Sequence, residues 1–332
     1  MNVKELIRTI NHTLKSHNLF PENSRILVAC SGGPDSMALL YLLQDIATHR
    51  HTTYKIGVAI VDHCIRPESK DEVLWLQHQV GELGLPFYSA TFDVPLLSKE
   101  HKKSEETIGR QVRYQWLNEI AQSEGYDYIS VAHHKDDQAE SILAHLIRGT
   151  GLNGLTGMAV VSNDYDIPVI RPLLDVPKEE LLAYLADRKL KYCIDSTNDD
   201  IRYQRNRIRH RIIPELEAVN PAVVDAIVRL GSSVNEDVMV ISDLTSRTFD
   251  KLVSIGKDEV RISRRALRLE PLAIQRRLWQ RLVSTIDSNL TLTSAHQEQL
   301  LDIVNTGEKK TFTIKSIKVI AQCDTIKVYC KH

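Results

Sequence analysis

The 332-residue sequence has few cysteines, and none of them belongs to a C-x-x-C pair. The five cysteines are scattered along the chain, at Cys30, Cys64, Cys193, Cys323 and Cys330. A zinc ribbon, an iron–sulfur site or a redox dithiol needs cysteines at close and regular spacing. The sequence therefore argues against these three kinds of site, and it predicts free thiols in a reducing cytosol.

Long apolar runs are also missing. No run approaches the roughly 20 residues that a membrane-spanning helix needs. Residues 1–8 follow an amphipathic helical pattern, and they lack the regions of a signal peptide. The composition, 42% hydrophobic and 26% charged, is typical of a chain with a packed core. We therefore expect a cytoplasmic protein without a membrane partner.

The net charge is only −1, but the charges are unevenly distributed. Basic residues are in excess between residues 200 and 281, and most of them are arginines. They cluster at Arg202, Arg205, Arg207, Arg209 and Arg211, and again from residue 261 to residue 281. A polyanion such as RNA is one explanation of this asymmetry. A solvated helix face with internal ion pairs is the other, and the charges alone do not separate the two.

Strand and helix patterns alternate over the first two thirds of the chain. The predicted strands cover residues 25–30, 55–61, 87–92 and 127–132, and the predicted helices cover residues 35–47, 69–84, 104–124, 136–148 and 177–190. This alternation predicts an α/β domain, residues 1–214, with a parallel sheet flanked by helices. For residues 215–332 we expect a smaller, mainly helical domain, with a helical region at 222–253 and short strands at 311–315 and 317–329.

The segment Ser31-Gly32-Gly33-Pro34-Asp35-Ser36 follows the first predicted strand and opens a predicted helix. Adjacent glycines let the backbone approach an anion closely, and a helix N-terminus offers free N–H groups. The lysine of the G-x-x-x-x-G-K-[ST] P-loop is absent. The segment resembles instead the pyrophosphate-binding loop of ATP pyrophosphatases, the PP-loop; an ordinary glycine-rich turn is the simpler alternative.

Polar residues follow two further predicted strands, at Asp62-His63 and at residues 133–137. The carboxyl ends of parallel strands are where such sheets bind ligands, so we expect these segments to meet the glycine-rich loop. Asp137 and Glu140 are three residues apart on one helix face, where they could hold Mg²⁺ or an ammonium group. Acidic capping of a helix N-terminus is the structural alternative. Four glycines between residues 149 and 157 predict a loop over the site.

The order of several segments carries a more specific resemblance, to bacterial tRNA(Ile)-lysidine synthetases. The matching segments are residues 31–36, 61–66, 110–114, 133–140, 148–158, 170–174, 195–199 and 205–209. The first segment marks only the PP-loop superfamily, whereas the glycine-rich segment and the last two narrow the resemblance to this family. Two residues depart from its pattern, Ile65 where leucine is frequent and Ser196 where proline is frequent. Longer members carry a further C-terminal domain, which we expect to be missing here.

The resemblance implies an adenine-nucleotide α-hydrolase-like fold and a two-step reaction. ATP would adenylate the C2 oxygen of the wobble cytidine in tRNA(Ile) with a CAU anticodon, and L-lysine would then displace AMP to give lysidine. The implied cofactors are ATP and Mg²⁺. The C-terminal domain and the arginine cluster would contact the tRNA, and a homodimer is one option for the assembly.

The resemblance also assigns roles to individual residues. Nucleotide binding falls to Ser31, Gly32, Gly33, Pro34, Asp35, Ser36, Asp62 and His63. Asp35 and Asp136 would ligate the metal ion. Arg113 and Arg205 would offset charge that develops on the phosphates. Asp137 and Glu140 would bind the lysine cation, and His133 would position a phosphate or move a proton.

Two other functions stay open on the sequence alone. One is a different PP-loop ATP pyrophosphatase, either a tRNA-thiolating enzyme or a glutamine-fed amidating synthetase. Paired catalytic cysteines are frequent in the thiolating enzymes and absent here, and Cys30 lies inside a predicted strand and not at an N-terminal glutaminase position. The other is a non-catalytic ATP-sensing or RNA-binding module, which would have no need of the second carboxylate pair at Asp137 and Glu140.

Overall fold

A computed structural model describes residues 3–50, 53–66, 68–193, 204–256, 259–287, 290–306 and 309–330. The chain divides into two compact units, Met1–Ser232 and Ser233–His332. The predicted domain boundary after residue 214 falls before this division, and it stays a prediction. In the described part of the chain, no helix combines the length and the apolar character that a membrane span requires.

The first unit is built on a six-stranded sheet. Its strands are β1 (Arg25–Ala29), β2 (Lys55–Asp62), β3 (Phe87–Thr91), β4 (Tyr128–Ser130), β5 (Val161–Ser162) and β6 (Val169–Ile170), in the spatial order β3-β2-β1-β4-β6-β5. All neighbouring pairs are parallel except β5 with β6. Ile26 of β1 pairs with Ile56 on one side and with Tyr128 on the other. The predicted parallel sheet is therefore confirmed.

Helices connect and cover these strands. They are α1 (Val3–Ser16), α2 (Pro34–His49), α3 (Ser69–Glu82), α4 (Val94–His101), α5 (Glu105–Ser123), α6 (Lys135–Arg148), α7 (Leu152–Leu155), α8 (Lys178–Asp187), α9 (Gln204–Arg207), a π-helix (Ile208–Ile212), α10 (Ile213–Val219) and the start of α11 (Val223–Leu252). The five predicted helices of this region correspond to α2, α3, α5, α6 and α8.

The continuous apolar run of β1 reflects burial on both faces of the sheet. Ile26 and Val28 join the larger hydrophobic cluster, together with buried residues of α1, α2 and α8. Leu27, which points to the opposite face, joins a second cluster with Tyr114 and Leu117 of α5. Alternate side chains of a strand point to opposite faces, so only an uninterrupted apolar sequence can fill both clusters.

The second unit combines helices with an antiparallel sheet. Beyond the end of α11 it contains β7 (Val253–Ile255), β8 (Val260–Ser263), α12 (Arg264–Leu269), α13 (Leu272–Ile286), α14 (Ser294–Asn305), β9 (Lys310–Ile314), β10 (Ile317–Gln322) and β11 (Thr325–Cys330). The strands follow the order β7-β8-β11-β10-β9. Trp279 of α13 is fully buried in the core of this unit. The predicted strands of the tail correspond to β9, β10 and β11, whereas β7 and β8 were not predicted.

Candidate active site

The glycine-rich loop connects the carboxyl end of β1 to the first turn of α2. Gly32 has a φ of +81°, a left-handed conformation that favours glycine. The Ser36 hydroxyl accepts a hydrogen bond from the Ser31 N–H at 3.2 Å and donates one to the Gly33 carbonyl at 3.0 Å. The loop is thus held in shape by its own last residue, and the first N–H groups of α2 stay available to an anion.

The three predicted strand ends meet around one cavity of about 400 Å³. Nine of the residues that the sequence marked line it, namely Ser31, Gly33, Pro34, Asp35, Ser36, Asp62, His63, Arg113 and His133. A volume of this size lies within the usual range of small-molecule sites. The expectation that these segments lie at one edge of the sheet is therefore confirmed, although their individual roles stay predictions.

Five of the marked residues do not line this cavity: Gly32, Asp136, Asp137, Glu140 and Arg205. Conversely, the cavity wall includes Lys178 and Arg209, which the sequence did not mark as catalytic or nucleotide-binding. Lys178 is the first residue of α8, and in the sequence it looks like any solvated lysine at a helix start. Arg209 appeared only as one member of the arginine cluster.

The cavity carries more positive than negative charge. Among the residues that the structure describes, Arg113 has no ion-pair partner, and its guanidinium lies over the Tyr114 ring, 5.4 Å from the centroid. Lys178 likewise has no ion-pair partner in the described part of the chain, although its backbone N–H donates to Asp136 Oδ2 at 2.9 Å. Two cations without counter-ions, beside a helix N-terminus, suit a ligand with several negative charges.

Two histidines of the cavity are neutral at pH 7. Burial, reinforced by the charge of Arg113, lowers the pKa of His63 to about 4. Burial also lowers the pKa of His133 to about 3, because the attraction of Asp137 is too weak to offset it. The Nδ1 atoms of both rings are buried and have no hydrogen-bond partner among the residues that the structure describes. Each ring can therefore offer a hydrogen bond to a ligand without adding charge.

His134, the neighbour of His133, is in the opposite state. Its side chain is only 1% exposed, and it lies 3.4 Å from Asp136, 3.4 Å from Asp137 and 3.6 Å from Asp35. Burial disfavours the charged form, but these three carboxylates outweigh it and raise the pKa of His134 to about 9. The imidazolium thus holds three acidic side chains together beneath the loop. No local pattern in the sequence indicates which histidine of the pair is charged.

Asp35 is suited to a cation on the cavity side. Its Oδ1 is buried and has no hydrogen-bond partner in the described part of the chain, whereas Oδ2 faces His134. Magnesium in nucleotide sites is commonly held by one or two carboxylates, phosphates and water, so Asp35 fits this ion. Across the described ranges, no three His, Cys, Asp or Glu side chains are grouped to hold a metal by themselves. Asp136, the second predicted ligand, already has its Oδ2 engaged by the Lys178 N–H.

Asp137 and Glu140 are paired with two arginines, Arg205 and Arg209; we call these four residues the acid–arginine cluster. Arg205 donates to Glu140 Oε2 and to Asp137 Oδ1, each at 2.8 Å. Arg209 donates to Glu140 Oε1 at 2.6 Å, to Glu140 Oε2 at 3.1 Å and to Asp137 Oδ1 at 3.0 Å. The remaining oxygen, Asp137 Oδ2, accepts from the His134 N–H at 3.0 Å. All four carboxylate oxygens therefore have donors within the protein.

Asp62 has a local structural contact in addition to its place in the cavity wall. Its Oδ1 accepts a hydrogen bond from the Cys64 N–H at 2.9 Å. Cys64 has a φ of +53°, so the carboxylate supports a turn in the left-handed region. His63, Ile65 and Arg66, on either side of Cys64, line the cavity.

The glycine-rich segment after α6 is anchored to that helix by Gln138. Gln138 donates to the Met158 carbonyl at 2.9 Å and accepts from the Met158 N–H at 2.6 Å. Gly157, with a φ of +71°, leaves no room for a Cβ, which would lie 2.6 Å from the Gln138 Oε1. The end of this loop is therefore fixed to the helix that carries the acidic pair.

Comparison with known proteins identifies the family to which this architecture belongs. The PP-loop domain family matches residues 3–216. A tRNA(Ile)-lysidine synthase of Caldanaerobacter subterraneus subsp. tengcongensis is 31% identical over 327 residues, which are 98% of this chain and 68% of that protein. The chain belongs to the tRNA(Ile)-lysidine synthase family. The family expected from the sequence is therefore confirmed.

Other members of the tRNA(Ile)-lysidine synthase family match with similar identity. The protein of Thermosipho africanus is 39% identical over 246 residues, 74% of this chain and 56% of its own length. The protein of Bacillus subtilis is 31% identical over 305 residues, 91% of this chain and 64% of its own length. The chain thus spans little more than half the length of the Thermosipho relative.

A solved structure supports the fold that the tRNA(Ile)-lysidine synthase family implies. The U34-tRNA thiolase NcsA from Methanococcus maripaludis, with its 4Fe-4S cluster, has a TM-score of 0.58 and covers 70% of this chain and 78% of its own. The sequence identity is 22%, so the likeness concerns the fold alone.

Part of the tRNA(Ile)-lysidine synthase pattern lies outside the described residues. This applies to residues 195–199 and to Arg202, so their predicted contributions stay predictions. The segment that follows, from Arg205 onward, is described and brings Arg205 to the acidic pair and not to the wall of the cavity.

Proposed function

We propose that this chain is an ATP-dependent ligase that joins lysine to C2 of the wobble cytidine of tRNA(Ile) with a CAU anticodon. One observation carries the proposal: a cavity with unpaired cations and an unpartnered carboxylate oxygen lies next to a buried acid–arginine cluster. The cavity suits a nucleoside triphosphate, and the acid–arginine cluster suits an amino acid. The name of the relatives, tRNA(Ile)-lysidine synthase, supports tRNA(Ile) as the other substrate.

The first step would be adenylation of the cytidine. Its C2 oxygen attacks the α-phosphorus of ATP, the bond to the bridging oxygen breaks, and pyrophosphate leaves. Arg113, Lys178 and the N–H groups at the start of α2 face the negative charge that grows on the phosphates, which favours the transition state. Bound Mg²⁺, held by Asp35, would neutralise further phosphate charge.

The second step would be the attack of the lysine side-chain amine on C2, with AMP as the leaving group. The side-chain amine binds as an ammonium and has to give up a proton before it attacks; a carboxylate of the acid–arginine cluster is the nearby acceptor, and adjacent positive charge favours the neutral amine. Arg209 lies both in the acid–arginine cluster and in the cavity wall, so positive charge is close to the reacting groups. His133, neutral at pH 7, is suited to hold a phosphate oxygen by a hydrogen bond.

Lysine recognition would take place at the acid–arginine cluster. A lysine ammonium group can bind Asp137 or Glu140 only if a guanidinium gives way, because all four carboxylate oxygens already accept hydrogen bonds. We infer that lysine displaces Arg209 from Glu140 and that the released guanidinium faces the lysine carboxylate. The exchange leaves every buried charge with a partner of opposite sign, which limits the cost of burying the substrate.

The tRNA has to present its wobble base unstacked for these steps. A cytidine inside the anticodon stack cannot bring its C2 oxygen to a phosphate in the cavity, so the base would leave the stack. A cytoplasmic location is part of the same proposal, since the substrate tRNA is there. The homodimer stays a prediction.

The test is mass analysis of nucleosides from a tRNA(Ile) transcript with a CAU anticodon, after incubation with the protein, ATP and isotopically labelled lysine. We expect the label in one cytidine-derived nucleoside and pyrophosphate release that depends on the tRNA. The control transcript carries uridine in place of the wobble cytidine, and it should take up no label.

The same assay separates the alternatives. Pyrophosphate release without lysine uptake, together with sulfur in the nucleoside when a sulfur donor is supplied, would indicate thiolation. ATP and tRNA binding without any pyrophosphate release would indicate a binding module. Either result would overturn the proposed ligase.

A further inference from the structure

A second cavity lies within the first unit, and the proposed reaction does not use it. It has a volume of about 500 Å³ and is formed by one residue of α6 and by the segment from α9 to α10. Its lining residues are the apolar Ile147, Ile208, Ile212 and Leu216 and the polar Gln204, Arg207, Arg211 and Glu215, and we call the last four its rim. We call it the arginine groove.

The π-helix places the groove back to back with the active site. Arg209 points to the acid–arginine cluster and the catalytic cavity, whereas Arg207 and Arg211 line the groove on the other side. A helix with its side chains is about 10–12 Å across, so the two sites are separated by a single helical layer. π-Helical turns are rare and occur frequently at functional sites.

The groove offers unpaired positive charge. Arg207 and Arg211 are exposed, and neither forms an ion pair with any residue that the structure describes. Being four residues apart, they lie close together on one side of the helix. Glu215 is the single acidic side chain of the rim, so the groove carries a net positive charge.

The apolar part of the groove is open to solvent. Ile147 is 55% exposed and its neighbour Leu146 is 57% exposed, although both belong to the last turn of α6. Apolar side chains combined with unpaired guanidinium groups suit a ligand that has flat apolar surfaces and regularly spaced negative charges. Unstacked RNA has both, since its bases provide the surfaces and its phosphates the charges.

We propose that the arginine groove binds single-stranded anticodon-loop nucleotides next to the cytidine that enters the catalytic cavity. The inference rests on the proposed function, because it takes the RNA substrate from there. Arg207 and Arg211 hold phosphates, and Ile147 and Leu216 contact an unstacked base. One helical layer is a distance that adjoining nucleotides of an opened loop can span.

The test measures binding of a fluorescently labelled anticodon stem-loop with a CAU loop over a series of salt concentrations. Arg207→Ala and Arg211→Ala should each lower the slope of log affinity against log salt by about 0.7–0.9. Ile147→Ser should weaken binding about tenfold and leave the slope unchanged, because it removes an apolar contact and no charge. Arg8→Ala, which removes an exposed arginine of α1, is the charge-matched control and should change neither quantity.

The results distinguish the groove from the reaction. If slope and affinity are unchanged in all three groove variants and the wild type forms lysidine, RNA binding at the groove is refuted and the proposed ligase activity is not. If the variants bind more weakly and the wild type forms no lysidine, RNA binding at the groove is supported and the proposed ligase activity is refuted. Sedimentation of the wild type as a dimer and of Ile147→Ser as a monomer would show a second copy of the chain on the groove, which would also refute RNA binding there.

Discussion

The Nε atom of Arg209 lies 2.6 Å from Oε1 of Glu140, a carboxylate that is itself only 1% exposed. Arg209 is the more exposed partner, so it is the side chain that can move away while Glu140 stays buried. Substrate lysine, if it binds here, competes with a group of its own charge. Lysine recognition at this cluster would therefore require the exchange of a guanidinium for the substrate ammonium.

The first prediction concerns Arg209→Ala. Loss of one partner leaves Glu140 less compensated, and the free energy of unfolding should fall by about 3 kcal/mol. Added lysine should then raise the melting temperature of this variant more than that of the wild type, because no guanidinium has to be displaced. The measurement is differential scanning fluorimetry with lysine, with norleucine as the matched ligand without the side-chain amine.

Arg188→Ala is the control for this prediction. Arg188 is also ion-paired, to Asp45 at 2.8 Å, but it lies at the end of α8 away from the acidic pair. Its loss should lower stability without any change in the response to lysine. Equal lysine responses in the wild type and in Arg209→Ala would argue against recognition by displacement.

A second prediction follows from the charged His134. Its pKa is about 9 in the folded protein, above the ordinary value of 6.5. Its stabilising contribution is therefore complete below about pH 6.5 and is lost as the pH rises through 9. The loss should be on the order of 3 kcal/mol between these limits. Chemical unfolding of the wild type and of His134→Gln at a series of pH values measures it as the difference between the two curves.

His12→Gln provides the comparison, since His12 is exposed on α1. This variant should retain the full pH dependence of the wild type. If the curves of His134→Gln and the wild type stay parallel from pH 6.5 to 9.5, the histidine is not the charged centre of the three carboxylates.

The third prediction concerns Asp35→Asn. The amide is nearly isosteric, so the fold should persist, but the oxygen proposed for Mg²⁺ loses its charge. Pyrophosphate release should fall by about 10²-fold or more. Asp187→Asn, an exposed carboxylate at the end of α8, is the matched control. Near-normal pyrophosphate release by Asp35→Asn would remove this residue from the proposed metal site.

A fourth prediction assigns Lys178 to the phosphates. Lys178→Gln keeps the backbone N–H that binds Asp136, so only the ammonium is lost. The kcat/KM for ATP in pyrophosphate release should fall about 10- to 100-fold, and Lys178→Arg should recover part of it. Lys55→Gln is the control, because Lys55 begins β2 and the cavity lies at the other end of that strand; it should leave kcat/KM for ATP unchanged. A wild-type rate in Lys178→Gln would show that the ammonium points away from the nucleotide.

Much of the fold follows from local sequence patterns. The short, uninterrupted apolar run around Ile26, Leu27 and Val28 predicts a strand that is buried on both faces. The alternation of such strands with helices then predicts a parallel sheet. Strands β5 and β6 have two residues each, too few for any periodicity to appear. Strands β7 and β8 are also short; β7 pairs with the neighbouring β8, and β8 pairs with β11, more than sixty residues further along the chain.

The candidate site was predictable where it depends on strand ends and not where it depends on ion pairs. The loop, His63 and His133 meet because parallel strands share an edge, which the pattern already indicates. Arg205 and Arg209 reach Glu140 across more than sixty residues of sequence, and nothing local marks that contact. Arg205, which the resemblance assigned to the phosphates, and Arg209, which belongs to the arginine cluster assigned to RNA, are therefore both found at the acidic pair.

The central position of β1 has a consequence for how the protein opens. Because β1 has a neighbour on either side, the loop that follows it is attached to the middle of the sheet. Amide hydrogens of Leu27 and Val28 should accordingly exchange with solvent only through the largest opening events of the first unit. A nucleotide held by this loop then protects the whole unit against unfolding, and occupancy by ATP becomes a determinant of how long the protein survives proteolysis.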